Sequence, residues 1–133
     1  MRAALDRADL GFLDPDNGLG EETEKYATCS EIRLLRRPGR AIVFITFPGR
    51  RLRHDALAQQ LHEQLAVETG AEVAFTLRTN VSVRCAGRPG SYVPRQRWFT
   101  VVDPDAKLIA RTRAFANILA SIPRVRATLV GMT

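Results

Sequence analysis

"RAIVFITF", residues 40–47, is the stretch that decides the fold. From Ala41 to Phe47 every residue is apolar, β-branched or aromatic. A strand wetted on one side alternates apolar with polar; one covered on both sides does not. The stretch predicts a central strand of an α/β sheet with helices on both faces. Upstream, "ADLGFL", residues 8–13, is a second short apolar run stopped by turn residues, and it predicts a buried parallel strand. Between the two, "TEKYATCSEIRLLR", residues 23–36, sets Tyr26, Cys29, Ile32 and Leu35 at helical spacing and ends before Pro38-Gly39. Strand, helix and strand in that order predict a parallel, adjacent pair with a right-handed crossover.

Downstream, "HDALAQQLHEQLAVET", residues 54–69, repeats Leu57, Leu61 and Leu65 with Ala58 and Ala66, and Gly70 follows as a helix stop. "AEVAFTLRTNVSVRCA", residues 71–86, alternates as one long strand or two short ones. "GRPGSYVP", 87–94, reads as a turn and "RQRWFTVV", 95–102, as a strand, so the last two pair as a C-terminal antiparallel hairpin. Leu108, Ile109, Thr112, Phe115, Ile118, Leu119 and Ile122 then mark a helix, with Asp103 as its N-cap and Pro104 at its first position. "VRATLVG", 125–131, closes the chain as a short strand.

The chain has 133 residues, which fits a single domain spanning 1–133. Hydrophobic residues at 45% and charged residues at 26% place it among globular proteins. No apolar run approaches the ~20 residues of a membrane span. "MRAALDRADL" carries acids and no long apolar core, so it does not read as a signal peptide. Cys29 and Cys85 lie far apart and fit two ordinary thiols of a reduced, cytoplasmic protein. With His54 and His62 they make no recognised zinc spacing, and no metal is expected.

The net charge is +6, and 18 of the 20 basic residues are arginine. Arginine suits phosphate, so nucleic acid is the expected partner class. Arg50, Arg51 and Arg53 follow the central strand directly and should lie near its carboxyl end. Arg95 and Arg97 complete the expected nucleic-acid contacts.

One tripeptide occurs twice. "GFLDPDNGLG", 11–20, and "VVDPDAKL", 101–108, both hold Asp-Pro-Asp. The second needs only a helix start. The first stays irregular for about eight residues after a buried strand, and ligands of open α/β sheets bind in such loops. It is not a calcium loop: counting from Asp14, Leu19 stands where glycine is needed and Lys25 where glutamate is needed. Asp14, Gly18 and Gly20 imitate a Gly-x-Gly cofactor entry. However, "AIVFITF" then runs into Pro48-Gly49-Arg50 instead of the acid that would hold ribose hydroxyls.

"ADLGFLDPDNGLG", "EKYATCSEI" and "GRAIVFITFPGR" together resemble a family of class I methyltransferase-like proteins. That family carries a Phe-Leu-Asp-Pro-Asp-Asn-Gly-Leu motif after its fourth strand and is related to adenine methyltransferases and three-Cys-motif partner proteins. "RQRWFTVVDPDAKLIARTRAFAN" is similar to its last strand and helix. The resemblance implies a partial Rossmann-like methyltransferase sheet, the C-terminal half of the fold. It also implies a catalytic loop of Asp14, Pro15, Asp16 and Asn17. Asp14 would accept a hydrogen bond from a substrate amine and Pro15 would offer its carbonyl; Asp16 replaces a second proline, and Asn17 stands where an aromatic ring would stack on a flipped base. In this family the S-adenosylmethionine loop lies in the first three strands. The resemblance thus implies the cofactor only with a missing half or partner, and none for the isolated chain. The edge at 8–13, with Leu10 and Phe12, then calls for a homo-oligomer or a partner subunit.

A different class competes. Residues 41–131 also read as strand, helix, strand, strand, helix, strand, the order of a ferredoxin-like RNA-binding module. Phe44, Phe47, Trp98 and Phe99 would be its stacking residues.

Overall fold

The computed structural model describes residues 9–14, 28–48 and 53–131. They form an α/β fold with one mixed five-stranded sheet and three helices. The elements are β1 (Leu10–Leu13), α1 (Cys29–Leu35), β2 (Ala41–Thr46), α2 (His54–Thr69), β3 (Ala74–Arg84), β4 (Tyr92–Val102), α3 (Ala106–Ala120) and β5 (Val125–Val130). The sheet order is β1-β2-β4-β3-β5.

β1 and β2 pair in parallel, Leu10 beside Ala41 and Leu13 beside Phe44. β4 runs antiparallel to both β2 and β3, so β2 and β3 point the same way with β4 between them. β5 adds to the free side of β3. A ferredoxin-like module would set its first strand beside its last; here β2 and β5 are separated by two strands. Its stacking platform fails as well, because Phe44 and Trp98 are fully buried.

Side chains alternate across the sheet, and both faces of β2 are covered as its sequence predicts. Ile42 and Phe44 join Ile32 and Leu35 of α1 and Leu61 and Leu65 of α2 in one core cluster. Ala41 and Val43 face the other way, with Phe75, Val101, Leu108 and Ile109, so α3 covers the second face. Each large side chain in the first cluster contributes roughly 2–3 kcal/mol by leaving water.

Three boundaries differ from the sequence reading. α1 begins at Cys29, not near residue 23, because Thr28 is extended and forms a capping box with Glu31. Residues 23–27 lie outside the described residues. β4 begins at Tyr92, not Arg95, and pairs with β3 over eleven rungs, so the turn is shorter than 87–94. Pro94 inside it hides the strand from sequence patterning, yet it is tolerated: β2 stops at Thr46, opposite Trp98, and no described strand pairs with that flank of β4 beyond it.

The third correction is the helix cap. Asp105 caps α3, accepting a hydrogen bond from Leu108 N at 2.7 Å. Asp103 is instead left-handed, at φ 56°, and turns its carboxylate away toward α1. At the other end of the chain, Gly131 (φ 87°) lies against His62; a Cβ there would come within 2.5 Å of the imidazole.

Candidate functional site at the carboxyl end of the sheet

The face shared with α1 and α2 changes character rung by rung toward the carboxyl end of β2. The first rung, Ile42–Val102–Ala74, is apolar. The second is Phe44–Thr100–Thr76. Here the Thr76 and Thr100 hydroxyls lie 2.9 Å apart, and His62 Nε2 is 2.8 Å from Thr76 Oγ1. Burial holds the His62 pKa below its ordinary 6.5, which favours the neutral ring. The polar groups of this rung are satisfied.

The third rung, Thr46–Trp98–Arg78–Thr128, is different. Trp98 is fully buried, with the Arg78 guanidinium 4.9 Å from its ring centroid and His54 edge-on at 5.4 Å. Its Nε1 and Thr46 Oγ1 are both buried without a hydrogen-bond partner. Arg78 Nη1 meets Asp55 Oδ1 at 2.6 Å and holds that carboxyl below its usual range, but the Asp55 side chain is 94% exposed. Such an exposed pair is weak and readily exchanged.

The fourth rung is Gln96–Asn80–Arg126. Asn80 Oδ1 is the third buried polar side-chain atom without a partner among the described residues. A cleft of about 230 Å³ opens here, lined by His54, Arg78, Asn80, Gln96, Arg126 and Thr128.

The predicted site residues divide. Asp14 is exposed, one residue beyond the end of β1. Pro15, Asp16, Asn17, Arg50 and Arg51 lie outside the described residues. Arg53 is exposed at the start of α2, where its side chain makes no cap bond. Arg95 and Arg97 are exposed on β4, but alternation puts them on the α3 side, opposite to Trp98 and Gln96. There Arg97 stacks 4.6 Å from the Phe47 ring centroid.

Other arginines from the basic clusters are occupied in the fold. Arg33 donates to Glu68 O, and Arg36 to Thr69 O at 2.5 Å, so two guanidiniums from α1 meet the last carbonyls of α2. Arg36 also grips Asp103 with both forks, at 2.6 and 3.2 Å. The buried Arg40 donates to Leu35 O at 2.8 Å. Burial, then its hydrogen bond with Glu68, pushes the Cys29 thiol up to about 12, which disfavours the thiolate. No cluster of metal-ligating side chains occurs among the described residues. No described helix is long and apolar enough to cross a membrane.

No protein-family model matches the chain, and no curated protein sequence matches it. The site must therefore be read from its own atoms. The residues missed from sequence had a signal there. In "FTLRTNVSVR" the polar positions Arg78, Asn80, Ser82 and Arg84 fall two apart, which puts them on one face of one strand.

Proposed function

We infer that the chain is a methyltransferase-related α/β protein whose loop after β1 positions a substrate amine and whose basic surface meets nucleic acid. The observation that carries this reading is the strand arrangement. β1 and β2 are parallel neighbours, the helices that follow them, α1 and α2, share one face, and the sheet ends in an antiparallel hairpin whose second strand inserts beside β2. That is the arrangement a doubly wound, Rossmann-like half sheet ending in a hairpin would have. It puts Asp14 at the carboxyl end of a parallel strand, where such sheets hold their ligands.

The resemblance assigns the S-adenosylmethionine loop to strands that precede β1, so the reading asks none of the described residues to hold the cofactor. In this reading the methyl donor is bound outside the described residues, by a surface that packs beside β1. The exposed side chains of Leu10 and Phe12, at 52% and 53%, on a strand whose only described neighbour is β2, mark where it would dock. Light scattering and calorimetry on the purified chain test this. The expected result is a mass above the monomer and no heat of cofactor binding. A clean monomer with micromolar cofactor affinity overturns the reading.

A further inference from the structure

The rungs beyond Trp98 form a surface that the reading above does not use. β3 and β4 run on together to Arg84 and Tyr92, past the end of β2. On their α2 side, the cleft holding Arg78 is joined by a second hollow of about 320 Å³, lined by Asn80, Ser82, Arg124, Val125 and Arg126. The two share Asn80 and Arg126, and neither is lined by an acid. At the far end Arg124 lies 4.2 Å from the Tyr92 ring centroid.

We propose that this trough binds single-stranded RNA along its sugar–phosphate backbone, with Arg78, Arg126 and Arg124 on successive phosphates. Arg124 immediately precedes β5 and Arg126 is its second residue, and both line the second hollow, so two guanidinium groups are brought to one stretch of the trough. Arg78 is held over Trp98 by its ring contact, and among the described residues its anionic partner is the solvent-exposed Asp55, which a phosphate can replace. Asn80 Oδ1, buried and unpartnered at the junction of the hollows, lacks a donor. Rotation of the Asn80 side chain, which lines both hollows, would bring this acceptor to a ribose 2′-hydroxyl, a donor that deoxyribose lacks.

Backbone strain points the same way. Arg124 is one of two non-glycine residues among the described ones with a left-handed backbone, at φ 63°. Holding an arginine there costs about 1 kcal/mol or more, and such outliers gather at functional positions. The trough shares only its partner class with the preceding section; its residues and its test are separate.

The test is fluorescence anisotropy with a labelled RNA of about 12 nucleotides and a DNA of the same sequence. Titrations run from about 50 to about 200 mM salt. The wild-type chain is expected to prefer RNA. Arg78→Gln with Arg126→Gln should cut affinity roughly tenfold or more and lower the salt slope by about 1.4, the single-strand value for two phosphate contacts. Asn80→Ala should shrink the RNA-over-DNA preference. Arg124→Gly guards against a folding artefact: glycine suits that backbone, so melting temperature should hold or rise while affinity falls. Arg113→Gln, exposed on α3, should change little, and Arg95→Gln with Arg97→Gln reports on the opposite face of the sheet. Binding lost through Arg95 and Arg97 but not through the trough overturns this proposal and leaves the nucleic-acid reading standing. No RNA binding at low salt overturns both. Neither result touches the light-scattering and calorimetry test.

Discussion

Among the described residues, Asp103 and Arg124 are the two non-glycine residues with a left-handed backbone, and they stand in opposite surroundings. Asp103 belongs to a closed network. Both its oxygens take the Arg36 fork, and the same guanidinium closes the end of α2. Arg124 belongs to an open one, beside a buried amide oxygen with no partner. Polar groups that are fully satisfied hold a fold together; buried ones left waiting cost free energy unless something binds them. Hollows of about 420 and 540 Å³ also flank Asp103, but size does not make that end the site, because the Asp103 and Arg36 charges are already matched to each other.

The strongest way to break that contrast is Asp103→Ala. It strands the half-buried Arg36 guanidinium, and charge-assisted hydrogen bonds of this kind are worth about 2 kcal/mol. For a chain of this size that is a fall of roughly 7 °C in melting temperature. Loss of under a degree in calorimetry would mean the pair holds nothing. Asp105→Ala comes next. It removes the real cap of α3 and should cost about 1 kcal/mol.

How much of this was readable in advance follows the same division. The covered strand 40–47, the parallel pair, the bounds of α2 with Gly70 as its stop and the hairpin all follow from local patterning. Asp-Pro before a helix reads as a cap, and the reading fails because Arg36, 67 residues away, recruits Asp103. No local pattern encodes that distance. The arginines fail for the same reason. Arg36 and Arg40 look like surface charge, but they end up on carbonyls inside the fold. Arg126 looks unremarkable until β5 adds to β3 and sets it beside Asn80.

A pH titration sharpens the closed side of the comparison. His62 is depressed in the fold, so between its folded pKa and 6.5 the unfolded chain binds more protons. Stability from this group is therefore complete above 6.5 and falls as pH drops through that window. His62→Gln, which keeps a hydrogen-bonding group near Thr76, should flatten the difference in melting temperature between neutral and mildly acid buffer. An unchanged slope would mean that the imidazole is not held neutral.

The smallest expected effect is the most direct comparison, because the same substitution can be made in the same tripeptide at two places. Asp14→Asn and Asp103→Asn each remove one charge and keep the shape. Asn tolerates a left-handed backbone, so Asp103→Asn isolates the lost charge on Arg36 and should lower the melting temperature measurably, though less than alanine does. Asp14 is exposed at the end of β1, and surface changes of this kind usually stay within about 0.5 kcal/mol. Its carboxylate is expected to matter only when a substrate amine is present, so Asp14→Asn should leave the melting curve unchanged. Matched melting curves of the two variants decide the point. If Asp14→Asn costs as much as Asp103→Asn, the first Asp-Pro-Asp is a structural clamp like the second, and the loop after β1 loses its claim to be an acceptor site.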